Sequence, residues 1–415
     1  MTGSIRSVVR FSLTVLSFSI LIAPQLLSQT VMQRDAGIVS ILQSVSPDTL
    51  MVRVRELCGE FTVQVKGTPT LIANRLDGFE TQNNELAGDY LEEKLGVYGL
   101  DVRSERFQDR GRNVIAVQPG QSHPDIKYII CAHYDAARFE YPAADDNASG
   151  TAAVLEAARL LSGYEFDFSI EYCLWDAEER GLVGSRYYAQ TARQRGDSIV
   201  GVLNLDMIAY DSDNDMTATL EYNTDDGLEL VWMMQSINTS YDVGLDLVVR
   251  KRSSTPSDNY SFTQAGYPSF LFIEDWADFN ANYHGTKDTP DNLNVPYFTA
   301  ITRVALGGLA QLAGLTTHLA ADEPPLAGRG SVLHAPWPHP FRDHASIAFT
   351  IAEPGPLRVE LYDIMGRRIA LLADGTYNAG THTAFLNAAA LPGGAYLLRM
   401  HHGGTVTHRR IIRSE

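Results

Sequence analysis

Cysteine is scarce in this sequence, with Cys58, Cys131 and Cys173 the only three in a chain of 415 residues. So few thiols exclude a small disulfide-stapled scaffold, and none of them has the spacing of a zinc–thiolate site. If the chain is exported, an odd count leaves at least one thiol free or bonded to another molecule. Cys131 and Cys173 lie in apolar, strand-like runs, which predicts buried and unreactive thiols.

Long apolar runs are also nearly absent. The clearest extends from Phe11 to Ile22, behind Arg6 and Arg10. About 12 apolar residues are too few for a stable membrane-spanning helix but suit the core of a signal peptide. Small and polar residues follow around Ser28, so we predict a signal peptide over residues 1–28 and a secreted or cell-surface protein. An uncleaved N-terminal anchor is the alternative.

Basic residues are outnumbered, with 33 Lys and Arg against 50 Asp and Glu and a formal net charge of -17. Nucleic acids and anionic membranes bind to basic faces, so neither is expected as a partner. The acidic excess serves solubility or provides a field that favours cations, and composition leaves both open. With 45% hydrophobic residues, a chain of this length predicts two or three globular domains.

Short apolar runs alternate with stretches of helical periodicity over residues 71–318. The predicted strands are 113–117, 128–133, 170–175, 200–208 and 269–273. The predicted helices are 84–95, 149–161, 184–193, 228–237 and 297–315. This alternation predicts an α/β fold with a mixed, largely parallel sheet and helices on both faces.

The composition and the pattern of apolar residues change on either side of this α/β region. Residues 319–333 are rich in Pro, Gly and small residues, and we interpret them as a linker. Short alternating segments separated by Gly-containing turns fill 334–415, which predicts an all-β antiparallel sandwich. Residues 29–70 are less regular. They are either a pro-segment or an N-terminal extension packed on the main sheet.

Four of the predicted strands are followed by side chains that can bind a metal ion. These are His133 with Asp135, Glu178 with Glu179, Asp206, and His284, and a further pair, Asp145 with Asp146, precedes a predicted helix. Functional groups collect beyond the carboxyl ends of parallel strands, so these side chains are expected at one edge of the sheet. Imidazole and carboxylate donors without a thiolate suit zinc or another divalent first-row ion in a hydrolytic site.

The ordered motifs AHYD, ADDNASG, WDAEERGLVGS, NLDMI and YHGTKDT resemble those of the M28 family of zinc aminopeptidases, over about residues 71–315. The resemblance implies two Zn²⁺ ions per chain, bridged by Asp146. It implies that His133 and Asp206 complete the ligands of one ion, and Glu179 and His284 those of the other. A bridging carboxylate would hold two such cations, about 3.5–4 Å apart, against their repulsion.

The same resemblance implies catalytic roles for three further residues. Glu178 would be the general base, taking a proton from water and passing it to the leaving amine. Tyr283 would stand near the tetrahedral intermediate, and Asp135 would orient His133 and raise its basicity. A further similar segment contains Asp258, which is either a carboxylate behind the site or a helix cap.

The C-terminal segments WPHPF, VELYDIMGRRIA, AGTHTAFL and LPGGAYLLRM resemble the sorting domain of proteins exported by the type IX secretion system, over about residues 334–412. The resemblance implies an Ig-like sandwich and the secretion machinery as a partner. The seven histidines of this region lack ligand spacing, so we expect no metal site among them.

Together these features predict a secreted, monomeric metallo-aminopeptidase that hydrolyses N-terminal residues from peptides. A carboxypeptidase or dipeptidase of the same fold is the first alternative, and a glutaminyl cyclase is the second. The DNASG segment after Asp145 and the GLVGS segment after the Glu pair resemble the peptidases more than the cyclases. A non-enzymatic adhesin is a third alternative, and it predicts the loss of a ligand or of Glu178. None is lost.

Overall fold

The computed structural model describes residues 34–76, 82–108, 111–318 and 331–413, except for 338–340, 342–343, 352, 364–366, 379 and 389–390. The predicted signal peptide and most of the predicted linker therefore lie outside the described residues. The chain divides into two compact units. The first contains the described residues up to Pro119 with His123–Ala158 and Phe168–Ala313, and the second contains the rest.

The α/β part of the chain contains eight α-helices and twelve strands in its described residues. The helices are α1 (Ala36–Ser44), α2 (Pro47–Leu57), α3 (Gln82–Val97), α4 (Gly150–Leu161), α5 (Val183–Arg195), α6 (Asp225–Ser240), α7 (Asn259–Ala265) and α8 (Val295–Leu312). The strands are β1 (Val63–Val65), β2 (Thr68–Thr70), β3 (Asp101–Phe107), β4 (Gly111–Gln118), β5 (His123–His133), β6 (Tyr164–Phe166), β7 (Phe168–Trp175), β8 (Ser198–Leu205), β9 (Thr217–Tyr222), β10 (Asp246–Lys251), β11 (Ser269–Glu274) and β12 (Leu315–His318).

Eight strands form the central sheet, in the order β10-β9-β11-β8-β5-β7-β4-β3. The pairs β10/β9, β11/β8, β8/β5 and β5/β7 are parallel, and the other three are antiparallel. Successive residues from Ile129 to His133 in β5 are all buried, and successive side chains of a strand point to opposite faces. Both faces of the sheet are therefore covered, which confirms the predicted α/β fold.

One predicted strand was too long. The prediction over 200–208 is correct up to Leu205, where β8 ends. Beyond Asp206 the chain leaves the sheet, because Met207 adopts a left-handed backbone conformation with φ of 52°. Asp206 therefore lies just past the carboxyl end of its strand rather than within it.

Helices α5 and α7 pack on one face of the sheet. Their apolar side chains, such as Tyr188 and Phe262, join a buried cluster with Ile129, Cys131 and Cys173 from the strands. Both of these cysteines are fully buried and free, and burial raises the pKa of each thiol well above its ordinary value. The prediction of buried thiols at these positions is confirmed.

Residues 34–70 contain ordered elements that belong to the first unit. Helix α1 packs on α8, and the Arg303 Nε donates a hydrogen bond to the Leu42 carbonyl at 3.0 Å. Helix α2 contacts α8 and the helical turn Ala144–Ser149. Among the described residues, none of the helices has the length and hydropathy needed to cross a lipid bilayer.

The first unit is tightly packed around Gly150, at the start of α4. A Cβ atom on Gly150 would lie 2.3 Å from the Leu205 carbonyl oxygen and 2.4 Å from the Asn147 Oδ1, whereas one on Gly96 in α3 would have no neighbour within 4 Å. We expect Gly150→Ala to lower the free energy of unfolding by about 1–3 kcal/mol, because backbone must move. The matched variant Gly96→Ala should raise it by up to about 1 kcal/mol.

Thermal denaturation of the two variants beside the wild type measures both effects. A Gly150→Ala protein that melts at or above the temperature of Gly96→Ala would show that the start of α4 is loosely packed.

The second unit holds two antiparallel sheets, whose first strand begins at Val332, within the last residues of the predicted linker. Its strands are β13 (Val332–Trp337), β14 (His344–Ile351), β15 (Gly355–Asp363), β16 (Arg368–Tyr377), β17 (Gly380–Asn387), β18 (Gly394–His402) and β19 (Thr405–Arg413). Their orders are β13-β14-β17 and β16-β15-β18-β19, and β12 pairs separately with β6. Ile347 and Phe349 of one sheet share a buried cluster with Val359 and Leu398 of the other. The predicted β sandwich is confirmed.

Candidate metal centre

The central strands carry the predicted site residues to one edge of the sheet. His133 is the last residue of β5, and Asp206 directly follows the neighbouring parallel strand β8. Glu178 and Glu179 follow β7, which pairs with β5 on its other side. Since all three strands run in parallel, their carboxyl ends bring these side chains together, as the strand pattern predicts.

Asp146 lies at the middle of the group. The His133 Nε2 is 3.3 Å from the Asp146 Oδ1 and 3.3 Å from the Asp206 Oδ1. The His284 Nε2 is 3.2 Å from the Asp146 Oδ2 and 3.0 Å from the Glu179 Oε2. The Asp146 carboxylate therefore faces both histidines. The residues form two groups of three, His133 with Asp146 and Asp206, and His284 with Asp146 and Glu179, and Asp146 belongs to both.

The geometry of both groups fits zinc. In a tetrahedral zinc site with bonds of about 2.0–2.2 Å, the donor atoms lie about 3.3 Å apart. The four distances from the histidine Nε2 atoms to the carboxylate oxygens of Asp146, Asp206 and Glu179 range from 3.0 to 3.3 Å. Each group offers three nitrogen and oxygen donors, which leaves a fourth position for water or substrate, as in catalytic zinc sites.

Electrostatics also favour a cation in this place. Burial, together with the charge of Asp146, raises the pKa of Glu179 to about 7. Burial likewise raises the pKa of Glu178 well above its ordinary value. The pKa of Asp146 is lowered despite its burial, because His133 and His284 both hydrogen-bond to it. Carboxylates held this close in a buried site repel one another, and a divalent cation would relieve that repulsion.

Asp135 supports two parts of the site at once. The His133 Nδ1 is 3.5 Å from the Asp135 Oδ1 and 3.3 Å from the Asp135 carbonyl oxygen. The backbone N–H groups of Glu178 and Glu179 donate to the two carboxylate oxygens of Asp135, at 3.1 and 3.2 Å. Asp135 therefore contacts the His133 ring and fixes the turn that carries both glutamates. The sequence indicated only the first of these contacts.

Tyr283 lies at the open side of the group. Its ring stacks on that of His284, with centroids 3.9 Å apart. The side chain of His284 is 37% exposed, and Tyr283 is 43% exposed, whereas His133 is buried. Solvent therefore reaches the group from the side of these two residues. Lys287, three residues further along the same loop, is also exposed.

Asp288 belongs to the site although the sequence pattern assigned it no role. It is buried, and its Oδ1 and Oδ2 accept hydrogen bonds from the backbone N–H groups of Asp145 and Asp146, at 2.9 and 3.1 Å. These contacts fix the backbone of the central carboxylate. The only sequence signal was the place of Asp288 within the motif YHGTKDT.

Ser257 and Asp258 are close to Asp206. The Ser257 Oγ donates to the Asp206 Oδ2 at 2.6 Å and accepts from the Asn204 Nδ2 at 2.7 Å. Asp258 precedes α7 but makes no capping hydrogen bond. It is fully buried, and burial raises the pKa of its carboxyl to about 7. Of the two alternatives for Asp258, the structure favours a carboxylate behind the site.

Known proteins resemble both parts of the chain. Residues 113–308 match peptidase family M28, and residues 336–414 match the secretion system C-terminal sorting domain. The chain is 31% identical to aminopeptidase YwaD of Bacillus subtilis over 239 residues, or 55% of this chain and 50% of that protein. It therefore spans only half the length of this relative.

Solved structures share the fold. A zinc aminopeptidase of Bacillus subtilis is 14% identical with a TM-score of 0.56, covering 65% of this chain and 96% of that one. A glutaminyl cyclase of Fimbriiglobus ruber is 21% identical with a TM-score of 0.52, covering 64% and 95%. At these identities the likeness concerns the fold alone. The family matches add to this likeness: residues 113–308 are similar to peptidase family M28, and the residues after them, 336–414, are similar to the secretion system C-terminal sorting domain.

Proposed function

We propose that the protein is an exported, monomeric zinc aminopeptidase that releases N-terminal residues from peptides at a centre of two zinc ions. The observation that carries the proposal is the position of Asp146, whose two carboxylate oxygens face His133 and His284 at 3.3 and 3.2 Å. His133 and Asp206 would complete one set of ligands, and Glu179 and His284 the other. The M28 match and the relatives named as aminopeptidases support the same activity.

The ions would activate a water molecule and polarise the carbonyl group of the scissile bond. Glu178 lies beside His133 and Glu179 in the same cluster. Its backbone is held by Asp135, and burial raises its pKa. A carboxylate with a raised pKa accepts a proton from the attacking water and returns it to the departing amine. Asp135 keeps the His133 ring in place throughout.

Features at both ends of the chain support the proposal that the protein is exported. The sorting domain over residues 336–414 supports delivery to the cell surface or the medium through a secretion system. The predicted signal peptide over residues 1–28 would provide the first export step. The secretion machinery is then the proposed partner of the C-terminal domain, and peptides are the substrates of the M28 domain.

A pair of matched peptides tests the activity. We expect the zinc-loaded protein to shorten a free peptide that begins with Leu one residue at a time, and to leave its N-acetylated form intact. The physical reason is that an aminopeptidase recognises the free amino group that acetylation removes. Mass spectrometry of the products gives the result, and a metal chelator should abolish it.

The same assay separates the alternatives. Equal cleavage of both peptides would contradict the aminopeptidase and indicate an endopeptidase or a carboxypeptidase. A second free peptide that begins with Gln distinguishes the cyclase, because cyclisation lowers its mass by one ammonia without shortening it.

A further inference from the structure

Arg75 is a fully buried arginine that bonds to four backbone carbonyl groups. Its Nε donates to the Tyr134 oxygen at 2.8 Å, and its Nη2 donates to the Ala143 oxygen at 2.7 Å. Its Nη1 donates to the Leu57 oxygen at 2.5 Å and to the Pro142 oxygen at 3.2 Å. Burying a guanidinium group is costly unless its N–H groups are bonded, so this arrangement is strongly specified.

Three of the four carbonyl groups, all but that of Leu57, lie in segments that carry or adjoin the candidate metal ligands. Tyr134 stands between His133 and Asp135 in the chain. Pro142 and Ala143 immediately precede the turn that contains Asp146. The planar guanidinium group holds these two segments at a fixed separation, since its N–H groups form a rigid fork.

Backbone contacts reinforce the connection. The Ala136 N–H donates to the Arg75 carbonyl at 2.9 Å, and Leu76 forms a parallel bridge with Ala136. The segment of Arg75 therefore runs directly alongside the end of the strand segment that carries His133.

The end of α2 is fixed at the same place. Leu57, its last residue, accepts from Arg75, and the Cys58 Sγ lies 3.3 Å from the Pro142 carbonyl oxygen. A Cβ atom on Gly59 would be 2.6 Å from the Ile72 carbonyl oxygen, so the two stretches of chain approach too closely for a larger residue. The N-terminal segment thus packs against the backbone that positions the metal ligands.

We propose that Arg75 is a positioning residue of the metal centre, which holds the backbone of His133 and Asp146 at the separation that two bridged zinc ions require. The inference rests on the proposed function, because it assumes zinc at this site. It adds a residue outside the motifs that carry the ligands, in a part of the chain before the region that matches family M28.

Arg75→Lys and Arg75→Ala in the full-length protein test the inference. Lysine keeps the charge but cannot reach all four carbonyl groups. The matched control is Arg303→Lys, because Arg303 also donates to a backbone carbonyl, that of Leu42, between α8 and α1. Zinc affinity is measured by competition with a chromogenic chelator, alongside kcat, KM and the melting temperature.

We expect Arg75→Lys to weaken zinc binding about 10–100-fold, as is typical when groups that orient metal ligands are changed. kcat should fall about tenfold at saturating zinc, with KM within about twofold, because the ligands and not the peptide contacts shift. Arg303→Lys should lower the melting temperature and leave zinc affinity unchanged.

Unchanged zinc affinity in Arg75→Lys, or an equal loss in Arg303→Lys, would overturn the inference and leave the proposed function intact. Failure of both Arg75 variants to fold would overturn it in favour of a purely structural role. A wild-type protein that binds zinc tightly but cleaves no peptide would contradict the proposed function alone. A wild type that binds no zinc would contradict both.

Discussion

Glu178→Gln is expected to lower kcat by about 10²–10⁴-fold while the protein stays folded and binds zinc normally. The amide has nearly the shape of the carboxylate but cannot accept a proton from water. The contact that fixes this position, from the Glu178 backbone N–H to the Asp135 Oδ1, does not involve the side chain and survives the change. Turnover of a free peptide and zinc analysis of the same sample measure the two effects.

Two comparisons make the Glu178 result specific. Glu229→Gln, at an exposed position of α6, should leave both turnover and zinc content unchanged. Glu179→Gln should weaken zinc binding, because the Glu179 Oε2 lies 3.0 Å from the His284 Nε2 in a ligand group. If Glu178→Gln kept more than about a tenth of the wild-type kcat, another group would have to move the proton.

Asp146→Ala is expected to remove both zinc ions and to lower activity by about 10³-fold or more. Its carboxylate faces both histidines, so its loss takes a ligand from each group. Asp206→Ala is the matched comparison, since Asp206 faces His133 but not His284. That variant should retain the ion beside His284.

Metal analysis after dialysis, with the number of zinc ions per chain as the readout, distinguishes the two aspartates. Two ions in Asp146→Ala would show that this residue bridges nothing. One ion in Asp146→Ala and none in Asp206→Ala would reverse the roles that we propose for them.

Much of the candidate metal centre could be predicted because its residues come at or just after the ends of strands. His133 and Asp206 stand at the ends of buried apolar runs, and neighbouring parallel strands bring the residues at their carboxyl ends to a common edge. The strands β3, β9 and β10, toward the two edges of the sheet, escaped prediction. β3 and β10 are mostly exposed or only partly buried along their length, so their apolar pattern is weak.

The supporting contacts were harder to predict, because they join residues far apart in the chain. The bond from the Asp146 N–H to Asp288 spans 142 positions, and the bond from Ser257 to Asp206 spans 51. The local sequence pattern around Asp288 or Ser257 gives no indication of the residue to which its side chain bonds. The start of α2 does have a local signal, because Ser46 caps the helix and Pro47 is its first residue. Both N-terminal helices pack on α8, and no local sequence pattern encodes that contact.

The packing of α1 on α8 also bears on when the first unit can fold. The Leu42 carbonyl and the Arg303 guanidinium group lie 261 positions apart, so this contact joins nearly the first and nearly the last parts of the unit. Because a chain is synthesised from its N-terminus, this contact can form only after α8 has been made. Contacts of such long range form slowly, since the loop between them must first be closed at an entropic cost. Incomplete chains that lack α8 therefore cannot complete this unit, and we expect the proposed hydrolytic activity only once synthesis of the unit is complete.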